Sequence, residues 1–165
     1  MNDREISGMI QIMAARRLHT FNSERLKAAR IELGWPQGRL AQRVGRSIGS
    51  VFAWESGTRT PGPETLVKLA ATLGISAGEL LTVPRDEYTL ADLRTASGLT
   101  QRTAARKVGV TLPHYGHIEL GYADVDPEVL PKLAALYGTT GHEVLACWTR
   151  GASAAIAAPD RDGDV

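Results

Sequence analysis

The chain has 165 residues, 43% of them hydrophobic and 22% charged, with a net charge of only +1. No apolar run approaches the ~18 residues of a membrane span, and the first twenty residues carry Asp3, Arg4, Glu5, Arg16 and Arg17, so neither an anchor nor a secretory leader is expected. The single cysteine, Cys147, excludes an intrachain disulfide and suits a reducing compartment.

Helical signals run along the chain, with no strand-like alternation. Residues 1–22 read as an arm, with Ile6, Met9, Ile10 and Met13 spaced for an amphipathic helix over 5–18. Ser23 is placed to cap a first helix over 24–33, with Leu26, Ala29, Ile31 and Leu33 as apolar contacts and Gly34 as its stop. A second helix is predicted over 37–44, closed by Gly45. A third follows the cap Ser47 and ends near Ser56-Gly57. After a Pro- and Gly-containing loop, a fourth is predicted over 64–73, and Ser76 with Glu79 forms a capping box for a short fifth. Thr89, Thr100 and Thr111 cap the next three helices, and Thr140 with Glu143 repeats the box. From Gly151 onward the Ala, Pro, Asp and Gly content predicts a disordered tail, assigned to residues 148–165.

This punctuation repeats because the sequence does. A shift of 64 positions lays Arg30 on Arg94, Gly34 on Gly98, Gln37 on Gln101, Gly45 on Gly109, Glu55 on Glu119 and Lys68-Leu69-Ala70-Ala71 on the same four residues at 132–135. Apolar positions need only similar residues, whereas matched Gly, Gln, Arg and Glu imply the same turns and polar contacts made twice. Two units of about 60 residues follow, over 23–83 and 88–147, each marginal in the surface it can bury. Their charges differ. Residues 23–85 hold nine Lys/Arg against five Asp/Glu, and residues 86–146 hold five against eight. Repeat 1 is therefore the expected binder of a polyanion.

The spacing Leu26…Arg30…Gly34…Gln37…Leu40-Ala41…Val44-Gly45…Ser47…Val51…Trp54-Glu55…Gly57…Arg59…Pro61…Leu66…Leu69-Ala70…Leu73-Gly74-Ile75…Leu80-Leu81 resembles the Cro/cI-type (XRE) helix-turn-helix family. Residues 90–145 resemble it again, and the two stretches cover about two-thirds of the chain. The resemblance implies an all-α fold of two tandem five-helix lambda-repressor-like domains. It implies structural ion pairs Arg30–Glu55 and Arg94–Glu119 joining helix one to the end of helix three. It also implies double-stranded DNA as partner, with Gln37 and Gln101 on phosphates at the start of helix two; a purely capping role is the other reading of these glutamines. Arg39, Arg43 and Arg46 read either as a backbone clamp or as a solvated cluster.

Helix three would enter the major groove through Ser47, Ile48, Gly49, Ser50 and Phe52, with Arg59 beyond its end. No Arg, Gln or Asn stands on that face, which leaves apolar contact such as Ile48 on a thymine methyl, or DNA shape. Repeat 2 offers Thr111, His114 and His117 and reads as the poorer reader, freed for dimerisation or a protein contact. His114 and His117 lie one turn apart, but without further ligands no metal is expected, and no cofactor. Arg16, Arg17 and His19 read either as a minor-groove arm or as a packing segment.

The function expected is a bacterial transcriptional regulator, a repressor by family habit, cytoplasmic at the nucleoid and homodimeric. The competing class is a protein-interaction module such as an antitoxin or accessory factor. An enzyme is not expected, since no nucleophile–base pair, carboxylate pair or phosphate loop is visible.

Overall fold

Four turns, each closed by a glycine in the left-handed region, are made twice at the same offset: Gly34 and Gly98, Gly45 and Gly109, Gly57 and Gly121, Gly74 and Gly138. They divide a computed structural model describing residues 21–156 into nine α-helices and two short 3-10 helices. The amphipathic helix expected over 5–18, the basic residues Arg16, Arg17 and His19, and the tail beyond Ile156 lie outside the described residues. The chain divides into two units, meeting at Pro84 and Arg85.

Unit 1 comprises α1 (Ser23–Glu32), α2 (Gln37–Val44), α3 (Ile48–Glu55), α4 (Pro63–Leu73) and a 3-10 turn (Ala77–Leu80). Its core is Leu26, Leu40, Val51, Leu66, Leu69 and Leu80, with Trp54 closing one side. The cap of α1 is Asn22 rather than Ser23: its Oδ1 accepts the Arg25 amide at 2.9 Å, while its own amide donates to Leu80 O at 2.8 Å. Phe21, buried, bridges to Leu81 beside it. Both residues thus belong to the folded unit rather than to the arm. Ile31 and Leu33, expected as apolar contacts, are 56% and 43% exposed. The inward position one turn after Leu26 belongs to Arg30, which turns Ile31 outward.

Unit 2 comprises a 3-10 turn (Arg85–Glu87), α5 (Leu90–Ala96), α6 (Gln101–Val108), α7 (Leu112–Leu120), α8 (Leu130–Tyr137) and α9 (Gly141–Ile156). Thr89 and Asp92 cap α5 reciprocally, and Thr100 and Thr111 cap α6 and α7. Two features differ from unit 1. The buried Val51 and Leu73 correspond to Tyr115 and Tyr137, whose hydroxyls hydrogen-bond to each other inside the core. Burial pushes both hydroxyls far above the ordinary tyrosine range, so each stays neutral.

The second difference is α9, 16 residues long where unit 1 has a four-residue turn. In unit 1 the chain leaves helix at Leu81, which is extended and bridges to Phe21; the aligned Leu145 continues the helix. The helix therefore runs past Gly151, where composition predicts order to end. Val144 and Cys147 are buried, Trp148 Nε1 donates to Ala123 O at 3.0 Å, and Arg150 Nε donates to Tyr88 O at 2.7 Å.

Candidate nucleic-acid interface

The same four-residue arrangement stands at the start of α2 and of α6. Arg30 Nε and Nη2 donate to Glu55 Oε1 and Oε2 at 2.6 and 2.8 Å, a bidentate pair. Arg30 Nη1 donates to Trp35 O at 2.6 Å, holding the loop that leads into α2. Gln37 Nε2 donates to Glu55 Oε2 at 2.9 Å. In unit 2, Arg94 donates to Glu119 at 2.8 and 2.9 Å and to Leu99 O at 2.8 Å, and Gln101 donates to Glu119 at 3.3 Å.

Burial alone would raise the Glu55 carboxyl, but the hydrogen bonds from Arg30 and Gln37 outweigh it and hold it below the ordinary glutamate value. Desolvation likewise works against the charge of Arg94, and its bonds to Glu119 reverse the balance. Gln37 is thus not the cap of α2; that position is Pro36, without a side-chain cap bond. Its amide is instead oriented by the buried carboxylate that also fixes the end of α3. This coupling of Gln37 to the ion pair was not visible in the sequence, although the spacing was constant in both repeats.

The basic residues disperse. Arg39 and Arg43 lie over the ring of Trp35, at 5.0 and 5.5 Å from its centre. Trp35 escaped the sequence reading, yet its spacing of four and eight residues from the two arginines puts all three on one side of the chain. Gly38 is the α2 residue that faces Ile48, and Arg39 and Arg43 stand roughly 100–140° around the helix from it. Arg46 reaches α4, where Nη2 donates to Thr65 Oγ1 at 3.2 Å. Arg59 is exposed beyond α3, its amide bonded to Ala53 O.

On α3 the polar groups of the first turn are occupied with each other. Ser47 Oγ accepts the Ser50 amide at 3.1 Å and lies 2.9 Å from Ser50 Oγ. Gly49 is exposed, and Ile48 and Phe52 are 59% and 61% exposed, large for apolar side chains. Phe52 and Gln37, with Lys27, Glu55 and Ser56, line a shallow cleft of about 120 Å³.

The corresponding surface of unit 2 is different. Thr111 caps α7 through the His114 amide, Leu112 is 38% exposed, and the position of Phe52 is taken by the buried Gly116. His117 is half-buried. His114 Nε2 lies 3.5 Å from Asp126 Oδ2, so a carboxylate stands at the start of α7 where unit 1 has Gly62. The charge difference between repeats is therefore local. Residues 33–54 and 97–118 each carry three Arg/Lys and no carboxylate; Asp124 and Asp126 then occupy the places of Thr60 and Gly62.

Among the described residues, no helix is long and apolar enough to cross a membrane. Residues 26–80 match the family model described as "Helix-turn-helix", and residues 89–146 match one described as "Helix-turn-helix domain". No solved structure matches the chain.

Proposed function

The chain belongs to the helix-turn-helix DNA-binding regulators, with an XRE-type domain followed by a second helix-turn-helix domain, and on that premise we propose that unit 1 is the DNA reader and unit 2 its assembly partner. In this reading α3 enters the major groove of a bacterial operator and the protein represses by occupying it. Gln37 and the start of α2 hold a phosphate, Ser47 to Phe52 face the bases, and Arg43, Arg46 and Arg59 neutralise backbone charge. A homodimer places two copies of unit 1 about one helical turn apart, joined through unit 2, in the cytoplasm.

The observation that carries the asymmetry is Asp126 beside His114. A carboxylate at the leading end of α7 repels the phosphates that α3 can approach freely. Thr111, His114, His117 and Gln101 then contribute little to DNA affinity.

Charge reversal tests this. Arg43→Glu with Arg46→Glu is expected to weaken operator binding roughly thirty- to hundredfold at moderate salt and to flatten its salt dependence. Arg106→Glu with Lys107→Glu should cost less than about fivefold. Gel shift across a salt series measures both, and equal losses would refute the division of labour. The exposed Ile48 and Phe52 favour one second reading, a protein-binding module such as an antitoxin or accessory factor. That reading requires a tightly bound protein that co-purifies with the chain, and no salt-dependent DNA shift.

A further inference from the structure

We propose that unit 1 selects DNA through thymine methyl groups, with Ile48 and Phe52 as its specificity-determining residues. The inference rests on unit 1 being the DNA reader.

Three observations point to it. First, α3 is poor in groups that read a hydrogen-bonding edge: it has no Arg, Lys, Asn or Gln, the short hydroxyls of Ser47 and Ser50 are bonded to each other, and Glu55 is buried in its ion pair. Second, Ile48 and Phe52 project into solvent one helical turn apart, about 6 Å along the axis. Base pairs rise about 3.4 Å, so the two tips span about two steps of the duplex. Third, the helix is shaped for close approach. The exposed Gly49 leaves the shoulder beside Ile48 bare, and the glycine at position 38 leaves open the place next to Ile48 Cδ1 where a Cβ would stand 3.5 Å away.

The thymine C5-methyl is the apolar group on the major-groove edges. Apolar tips gain by covering it; guanine O6 and N7 with cytosine N4, or adenine N6 and N7 with thymine O4, cost similar desolvation, so the methyl is what distinguishes the pairs for such a tip. A protein partner is the less favoured occupant, because residues 33–54 carry three arginines and no carboxylate, and Thr60 and Gly62 stand where unit 2 adds Asp124 and Asp126. In unit 2 the second tip is missing, since Gly116 replaces Phe52.

The test begins with selection from a random duplex pool by the full chain. The expected sites contain thymine at neighbouring or next-neighbouring positions. Replacing each thymine by uracil removes only the methyl; affinity should fall about fourfold per methyl, as for one methylene-sized group returned to water, with the salt slope unchanged. In Ile48→Ala one uracil should lose its effect, and in Phe52→Ala the other. Both residues are largely exposed, so neither substitution threatens the fold. Specific binding that ignores uracil, or selected sites rich in G·C at these positions, overturns the methyl reading and leaves DNA binding intact. No salt-dependent binding to any duplex overturns both.

Discussion

Glu55→Ala is expected to cost unit 1 about 3–5 kcal/mol, whereas Arg30→Met combined with Glu55→Met should cost no more than about 1–2 kcal/mol. The single change leaves Arg30, whose side chain is only 10% exposed, without its bidentate partner, and it releases Gln37 from the carboxylate that orients it. The double change removes both charges and their desolvation together. A unit of about 60 residues has little stability to spare, so the single variant should unfold it. Hydrogen exchange on the full chain reads this directly: protection should vanish from α1 to α4 and persist in α5 to α9. A double variant less stable than the single one would rule out the stranded-charge account.

The same pair sets an acid limit. The folded-state carboxyl of Glu55 lies below its unfolded value of about 4.3. Its contribution is therefore fully present above that value and is lost as pH falls through the folded value. Glu55→Gln should flatten this part of the acid unfolding curve. A slope unchanged by the substitution would assign it to other carboxylates.

The parts of this molecule that the sequence displayed are those where backbone geometry demands a residue type. Gly45 and Gly109 had to close helices in the left-handed region, and Arg30 with Glu55 recurred at constant spacing. Caps were legible for the same reason, though Asn22 outbid Ser23 because Leu80 and Leu81 strap it in place. Contacts between elements were not legible. Nothing local marks Asp126 as the neighbour of His114, which depends on how the loop after α7 folds back; the spacing of Trp35 from Arg39 and Arg43 was the one local sign of their contact. The length of α9 was misread because alanine and glycine near a terminus look like tail, while packing against α5, α7 and α8 holds the helix and buries Gly151.

That packing makes Gly121 sensitive to any added side chain, and Gly57, its counterpart, supplies the control. Both have positive φ, +78° and +70°, so alanine at either carries a similar backbone cost of about 1–2 kcal/mol. Their surroundings differ. A Cβ on Gly57 would meet Ser23 Oγ at 3.6 Å, an ordinary contact, whereas a Cβ on Gly121 would stand 2.3 Å from the Ala152 Cα and 2.6 Å from its amide nitrogen. Backbone cannot swing aside as a side-chain tip can, so α9 must lift. Gly121→Ala should therefore cost about 1–3 kcal/mol more than Gly57→Ala, the price of overpacking. The extra loss should appear as faster exchange in the second half of α9, where the bonds from Trp148 to Ala123 and from Arg150 to Tyr88 would be strained. Equal destabilisation by the two alanines, with exchange in α9 unchanged, would mean that the helix end is not held against Gly121. The position would then need glycine for its turn alone, as Gly57 does.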